Sequence, residues 1–293
     1  MSEILSDSKV EVFDNRHCLL GEGALWHPLR QQLFWFDILN RKLLTLVDGV
    51  ERHWSFNERV SAAGWIDFDH LLIASEKRLF KFNLQDAKQT LLIELEADNP
   101  VTRSNDGRAD PWGGFWISSM GLNAEFKAGS IYRFYNNKLE KILSDLTIPN
   151  SICFDQKKCR VYFSDTETKK IQFLRLNESD GSVISNNSEL LVDLKDKNWS
   201  PDGTVTTVDG DLVCAMWGEG LVAVFSSEGE LKNIIRTSAK QVSCPAFGGK
   251  DLDQLFITSA TESMASTLLS ESDGKLLMIK TSLRGNLEPA VKI

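Results

Sequence analysis

Short apolar runs separated by turn residues follow one another along the whole chain. LFWFDI, LFKFNL, VYFSD, LVAVFS and LFITS are rich in Val, Ile, Phe and Trp, and most are bounded by Gly, Asp, Asn or Pro. Such runs are typical of β-strands. Amphipathic helical spacing over a dozen residues is hard to find. The pattern therefore predicts a protein that is nearly all β.

The runs also recur as a larger unit. The segment GALWHPLRQQLFWFDILNRKLLTL has the same order of turns and strands as NSICFDQKKCRVYFSDTETKKIQFLRL, and further copies begin near AAGWIDFDHLLIAS, SNDGRADPWGGFWISSM, PDGTVTTVDGDLVCAMW and CPAFGGKDLDQLFITSA. A spacing of roughly 40 to 50 residues is that of propeller blades. We expect one domain, residues 1–293, folded as a six-bladed β-propeller with four-stranded antiparallel blades around a central channel. A β-sandwich is the alternative, but it does not require the same order of turn and strand in each unit.

The beginnings of the repeats carry polar residues at matched positions. They read GEG, SNDG, PNS and PDG, and they place Glu22, Asn105, Asn150 and Asp202 near the axis of a propeller. Two carboxylates with one or two amide oxygens form a site for a hard cation such as Ca²⁺, Mg²⁺ or Mn²⁺. Without a cation the carboxylates would repel each other. Taken singly, each motif is also an ordinary turn sequence.

Composition narrows the classes of ligand. The chain has 293 residues and a formal net charge of -8, without a Lys/Arg-rich run, so a nucleic-acid partner is not expected and a small molecule is. The opening MSEILSDSKV lacks the pattern of a secretory signal, and no stretch approaches the roughly 18 apolar residues of a membrane span. We expect a cytoplasmic protein. The five scattered cysteines predict buried thiols rather than disulfides or a zinc site.

Other catalytic motifs are missing from the sequence. We find no GxSxG, HExxH, GxxxxGK[ST] or strand-linked GxGxxG. The four histidines lie in the first quarter of the chain and are interpreted as surface or structural residues. The tryptophans, Trp217 among them, are interpreted mostly as core residues of strands.

The motifs GEGALW, RSNDGRADPWGGFWISSMG, IPNSICFD, SPDGTVTTVDGDLVCAMWGEG and CPAFGGKDLDQLFITSA resemble the SMP-30/gluconolactonase/luciferin-regenerating-enzyme family of six-bladed propellers. The resemblance implies a metal-dependent sugar lactonase. It implies that Glu22, Asn150 and Asp202 hold one divalent cation and that Arg103 and Asn105 contact the substrate. Asp202 is then the candidate general base, because no histidine is placed for that role.

Several positions qualify the resemblance. Ala24 and Ser151 stand where the family commonly has proline and glycine, and both changes are expected to affect the shape of the pocket. The segment Gly121 to Gly129 corresponds to a variable loop that covers the pocket; Glu125 and Lys127 within it are candidates for substrate selection, or simply solvated. The stretch RSNDGRAD is interpreted as a polar turn shaped by its Asp-Gly pair.

The sequence leaves functional alternatives open. An esterase, phosphotriesterase or luciferin-regenerating activity would use the same metal site with a more apolar pocket, and a non-catalytic calcium-binding propeller would bind the cation without turnover. The cation is left open among Ca²⁺, Zn²⁺, Mn²⁺, Mg²⁺ and Fe²⁺. The partner we expect is a sugar lactone, neutral or acidic, and the protein is expected to be a monomer or weak homodimer.

Overall fold

The computed structural model describes residues 9–293, and within them the chain forms six four-stranded antiparallel sheets. The opening segment discussed above thus lies almost wholly outside the described residues. Regular helix in residues 9–293 is limited to three short 3₁₀ turns, Thr166–Thr168, Lys195–Lys197 and Ser266–Leu268. None of the helices in this part of the chain is long and apolar enough to cross a membrane. The prediction of an all-β fold is confirmed.

Each of the first five blades consists of four strands that are consecutive in the chain. Blade 1 contains β2 (Gly21–His27), β3 (Gln32–Asp37), β4 (Lys42–Val47) and β5 (Val50–Ser55). Blade 2 contains β6 (Val60–Trp65), β7 (His70–Ser75), β8 (Arg78–Asn83) and β9 (Gln89–Glu94). Blade 3 contains β10 (Thr102–Ala109), β11 (Phe115–Gly121), β12 (Gly129–Tyr135) and β13 (Lys138–Leu146). Blade 4 contains β14 (Pro149–Asp155), β15 (Arg160–Asp165), β16 (Lys170–Arg175) and β17 (Glu189–Asp193). Blade 5 contains β18 (Ser200–Thr206), β19 (Leu212–Trp217), β20 (Leu221–Phe225) and β21 (Leu231–Arg236).

Blade 6 closes the ring by combining both ends of the described chain. Its strands are β22 (Gln241–Gly248), β23 (Gln254–Ala260), β24 (Leu276–Lys280) and, as the outermost strand, β1 (Glu11–Asp14). The first strand of every blade packs against the first strands of its two neighbours. The innermost strands thus surround one central channel, and the predicted six-bladed propeller is confirmed.

The core is divided among the blade interfaces. Each of the six interfaces has its own cluster of buried apolar side chains. Between blades 1 and 2, for example, Phe34, Phe36 and Phe80 are fully buried. Each such ring stabilises the folded state by about 1.5–3 kcal/mol relative to exposure. The alternating apolar positions of neighbouring blades thus supply the two halves of each cluster.

Every innermost strand has a shift in its pairing register near the start. The shifts follow Glu22 in β2, Val60 in β6, Ser104 in β10, Asn150 in β14, Pro201 in β18 and Val242 in β22. Such bulges bend a strand and redirect side chains, often beside active sites. The expectation that RSNDGRAD is a turn was therefore wrong. These residues continue strand β10, since a bulge absorbs the turn preference of Asn105, Asp106 and Gly107 within a paired strand.

A C-terminal strap, residues 281–293, crosses the end of the channel opposite the starts of the innermost strands. It makes main-chain and side-chain hydrogen bonds to four blades, at Leu252, Thr206, Thr207, Val208, Gly113 and Trp65. Within the strap, Glu288 forms an ion pair with Arg108, and the two side chains are only 8% and 11% exposed. The strap thus connects blades that are not neighbours in the ring.

We expect Glu288→Ala to lower the free energy of unfolding by about 3–5 kcal/mol, because the variant leaves the Arg108 guanidinium buried without its counter-charge. Urea unfolding followed by tryptophan fluorescence measures the change. Glu271→Ala, which removes an exposed carboxylate, is the matched control and should unfold within about 0.5 kcal/mol of the wild type. Equal stability of the two variants would show that the ion pair contributes nothing.

Candidate active site

A cavity of about 250 Å³ opens at the end of the channel where the innermost strands begin. All five residues singled out from the sequence line it: Glu22, Arg103, Asn105, Asn150 and Asp202. They come from blades 1, 3, 4 and 5. Four of them are buried, whereas Glu22 is half-buried. The matched positions in the repeats thus meet at one place.

A second cavity of about 290 Å³ lies at the opposite end of the channel, beside the strap. The charged groups on its wall are already engaged: Arg108 pairs with Glu288, and the Lys157 ammonium donates to the Val208 carbonyl at 2.9 Å. The convergence of oxygen ligands is found at the first cavity, which is therefore the candidate active site.

A chain of side-chain hydrogen bonds fixes the amides at the bottom of this cavity. Arg103 Nη1 donates to Asn105 Oδ1 at 2.9 Å, and Asn105 Nδ2 donates to Asn150 Oδ1 at 2.8 Å and to the Pro149 carbonyl at 3.1 Å. Asn150 Nδ2 in turn donates to Thr166 Oγ1 at 2.9 Å. Because arginine can only donate and a carbonyl can only accept, the orientation of both amides follows from their neighbours. Asn150 is thereby held with its oxygen toward Asn105 and its nitrogen toward Thr166.

The two carboxylates of the site contact no cationic side chain in the described part of the chain. Within residues 9–293 neither Glu22 nor Asp202 forms an ion pair; Glu22 Oε2 accepts one hydrogen bond, from the Gly23 N–H at 3.1 Å. Burial, followed by the charge of Asp106, raises the pKa of Glu22 to about 8. Burial, followed by the charge of Glu22, raises the pKa of Asp202 well above its usual value. Arg103 lowers both pKa values by its charge, but no cationic side chain of the described residues forms an ion pair with either carboxylate.

This donor set fits a hard divalent cation. Two carboxylates and one oriented amide oxygen offer the ligands that such ions prefer. A cation would offset the negative charges whose burial and mutual repulsion raise both pKa values. No three His, Cys, Asp or Glu side chains in the described part of the chain form a complete metal site. A cation would therefore depend on Asn150 as well as on Glu22 and Asp202.

Asp106 has a different role from the one expected. Its carboxylate accepts the Ile152 N–H at 2.7 Å and so connects blade 3 to blade 4. Burial raises its pKa. It also adds negative charge close to Glu22 and Asp202. Asp106 contributes to the field of the site and does not merely shape local backbone.

Ser151 departs from the expectation that it reshapes the pocket. It is fully buried at a φ of 62°, a left-handed conformation, and neither Ser151 nor Ala24 lines the cavity. Its hydroxyl donates to the Asp202 carbonyl at 2.5 Å and accepts from Ser164 Oγ at 2.9 Å. The backbone turn directs the side chain away from the cavity, so that the hydroxyl supports the main chain of blade 5.

The loop between Gly121 and Gly129 reaches the cavity only through its first half. Leu122, Asn123 and Ala124 line the wall. Glu125 instead accepts hydrogen bonds from the Asn123 main chain at 3.0 Å and from its side chain at 2.9 Å. Lys127 lies against the exposed Phe126 ring. Of the two alternatives for Glu125 and Lys127, the structure favours solvated loop residues, because neither lines the cavity.

The sequence analysis missed four polar or aromatic residues of the wall: Arg59, Thr166, Trp217 and Glu262. Trp217 was interpreted as a core residue, whereas it is partly exposed on the cavity wall. A usable signal existed. Thr166, Trp217 and Glu262 lie at or just beyond the ends of the second strands of their blades. The end of a second strand lies beside the start of the first in an antiparallel pair, so matched positions there also face the cavity.

Residues 20–261 match the family model described as "SMP-30/Gluconolactonase/LRE-like region". The chain belongs to this family. The resemblance inferred from the motifs is therefore confirmed. The match extends from the first strand of blade 1 to the end of β23, and it includes all five candidate residues.

Individual members of the SMP-30/gluconolactonase family agree with this assignment. The chain is 34% identical over 281 residues to the "Putative sugar lactone lactonase" of Rhizobium meliloti (strain 1021), covering 94% of each protein. It is 30% identical over 260 residues to the L-arabinolactonase of Azospirillum brasilense, covering 86% of this chain and 84% of the relative. The crystal structure of a calcium-binding protein, regucalcin, from Agrobacterium tumefaciens has a TM-score of 0.94 and 34% identity, covering 96% of this chain and 97% of the other.

In the metal-free protein we expect the free energy of unfolding to fall as pH rises from about 5 to about 8. In this window the unfolded chain has released the Glu22 proton, whereas the folded protein, with a pKa of about 8, retains it. The folded state therefore binds more protons, and stability falls as pH rises. Thermal melts of chelator-treated protein at pH 5 and pH 8 measure the effect.

Two controls accompany these melts. Addition of Ca²⁺ at pH 8 should raise the melting temperature, since the cation offsets the charge of both carboxylates. Glu22→Gln removes the titrating group and should flatten the pH dependence of the metal-free protein. A wild-type profile as flat as that of Glu22→Gln would contradict the electrostatic account.

Ser151→Ala should lower the free energy of unfolding by about 1–2 kcal/mol, because it removes the close donor to the Asp202 carbonyl and keeps the left-handed backbone. Ser151→Gly loses the same hydroxyl but adopts a φ of 62° without steric cost. We therefore expect the glycine variant to be more stable than the alanine variant by about 1 kcal/mol. Urea unfolding of the pair isolates the backbone strain, and an alanine variant as stable as the glycine variant would refute it.

Proposed function

We propose that the protein is a metal-dependent sugar lactonase that hydrolyses an aldonolactone to the corresponding aldonic acid. The observation that carries the proposal is the meeting of Glu22, Asn150 and Asp202 in one cavity, where neither carboxylate forms an ion pair with a side chain of the described residues. The relatives named as a sugar lactone lactonase and an L-arabinolactonase support the choice of reaction. The function inferred from the sequence is thus retained as our proposal.

Glu22, Asn150 and Asp202 would hold the cation. Once bound, a divalent cation supplies Lewis-acid polarisation of the lactone carbonyl, which favours attack by water. The regucalcin structure described as calcium-binding favours Ca²⁺ as the first ion to test. The same oxygen ligands can also bind Zn²⁺, Mn²⁺, Mg²⁺ or Fe²⁺.

Asp202 is the group we assign to accept the proton of the attacking water. Its carboxylate lines the cavity, and no histidine in the described part of the chain does so. The environment that raises its pKa also makes the ionised carboxylate a stronger base. The proton would later pass to the alkoxide oxygen of the opened ring, so that the products are the aldonic acid with its free hydroxyl.

Arg103 and Asn105 would orient the substrate. Arg103 Nη1 is held by the Ser104 carbonyl at 2.9 Å and by Asn105 Oδ1 at 2.9 Å. The other two nitrogens of this guanidinium form no hydrogen bond with the described residues. They can therefore donate to substrate hydroxyl groups. Burial, the largest influence, lowers the pKa of Arg103, although an arginine remains charged at neutral pH.

A calcium-binding propeller without turnover is a second candidate function. It is favoured by the described calcium binding of the regucalcin structure, which is 34% identical to this chain. The same ligands would then hold the ion as a structural element. The two functions differ in one respect, which is turnover of lactones by the metal-loaded protein.

We expect chelator-treated protein to hydrolyse aldonolactones only after a divalent cation is restored, and Asp202→Asn to reduce kcat by about 10²–10⁴-fold, as loss of a general base does. Proton release at near-neutral pH, corrected for spontaneous hydrolysis, measures the rate. Asp209→Asn, in an exposed loop, is the matched control and should retain wild-type activity.

Thermal melts of Asp202→Asn separate loss of chemistry from loss of structure. Removal of one of two repelling carboxylates should leave the metal-free variant at least as stable as the wild type. Cation binding without turnover of any lactone in the wild type would instead favour the calcium-binding propeller.

A further inference from the structure

Glu262 is a charged residue of the cavity wall to which the reaction described above gives no role. It follows β23 in blade 6, at the same face as the starts of the innermost strands. Its main-chain carbonyl accepts a hydrogen bond from Gln241 Nε2 at 3.1 Å, which fixes the backbone at this point. No side chain among residues 9–293 forms an ion pair or hydrogen bond with its carboxylate. A free acceptor therefore faces the cavity.

The charge of Glu262 acts on Arg103, which lines the same cavity. Glu262 is the carboxylate that most strongly favours the charged form of Arg103, yet the two do not come within ion-pair distance. A guanidinium with free donors and a carboxylate with free acceptors thus line one cavity without forming an ion pair. A hydroxyl group can both accept from the first and donate to the second, so a polyhydroxylated ligand satisfies both.

The remaining charges of the cavity offer nothing extra to an anion. Arg59, the other arginine of the wall, is paired with Glu76 at 2.8 Å. A divalent cation would be neutralised by Glu22 and Asp202. Arg103 is not ion-paired, but the negative charge of Glu262 acts on it and offsets its positive charge. An anionic substituent that approaches Glu262 would therefore meet no net positive charge from these two side chains.

We infer that Glu262 selects neutral polyhydroxylated lactones and disfavours lactones that carry a further carboxylate or sulfonate. The inference rests on the proposed lactonase function and narrows its substrate class. Glu262 accepts hydrogen bonds from substrate hydroxyl groups, whereas its charge repels an anionic substituent at the mouth of the site. It also repels the product, because hydrolysis converts a neutral lactone into an aldonate anion.

The test compares D-glucono-1,5-lactone, which is neutral, with D-glucaro-1,4-lactone, which carries a carboxylate. We expect the wild type to prefer the neutral lactone in kcat/KM by about tenfold or more, a difference of about 1.4 kcal/mol. Glu262→Gln keeps the size and much of the hydrogen bonding but removes the charge. It should reduce the preference about tenfold, mainly through a lower KM for the anionic lactone, and should strengthen inhibition by gluconate.

Glu219→Gln is the matched control, since it removes an equal charge from an exposed position close in sequence to Trp217 but outside the cavity wall. It should leave the preference unchanged. An unchanged preference in Glu262→Gln, an equal shift in Glu219→Gln, or a wild type that prefers the anionic lactone would each overturn the inference.

A binding measurement separates failure of this inference from failure of the lactonase proposal. Calorimetric titration of the Ca²⁺-loaded protein with D-glucitol and with D-glucarate gives a neutral-to-anionic ratio of Kd without turnover. Absence of lactone hydrolysis together with a Glu262-dependent shift of this ratio would reject the reaction and retain the selectivity. Hydrolysis with a ratio that does not respond to Glu262→Gln would do the reverse.

Discussion

Two carboxylates that share one channel, and that form no ion pair with a cationic side chain of the described residues, are the constraint on which the site depends. Glu22 and Asp202 lie in one channel with Asp106 close by, and burial raises the pKa of each. Burial of unpaired charge is costly unless a counter-charge is present. A ring of six blades sustains this cost because its stability comes from clusters elsewhere, between the sheets. The polar channel and the apolar interfaces are thus separate parts of each blade, and the first is free to be specialised for chemistry.

Within the polar channel, a chain of hydrogen bonds fixes the orientation of the amides. Arg103 fixes Asn105, and Asn105 fixes Asn150, through donors and acceptors that cannot be exchanged. These hydrogen bonds connect blade 3 to blade 4, so that the geometry of the ligands depends on the packing of neighbouring sheets. A bulge near the start of each innermost strand turns these side chains toward the axis. Position in the repeat, rather than proximity along the chain, determines which residues act together.

Much of this arrangement is predictable from the sequence, because repeats reveal symmetry. Six copies of one strand pattern predict six blades, and matched polar positions at the start of the copies identify Glu22, Asn105, Asn150 and Asp202. The local interpretation failed where tertiary pairing overrides turn preference, as at Asp106 and Gly107 in strand β10. It also failed for residues whose partners are distant in sequence. Only the fold shows that the Ser151 hydroxyl reaches the Asp202 carbonyl or that Glu262 and Arg103 line the same cavity.

The strap across the far end of the channel has a consequence for how the molecule unfolds. In a linear array of repeats each unit contacts only its neighbours, so parts of the array can melt independently. Closure of blade 6 by β1 removes the free ends of the array. The strap then adds contacts between blades that are not adjacent, including the pair of Arg108 and Glu288. Loss of any one blade would release bonds held by others, and the propeller should therefore unfold as a single cooperative unit.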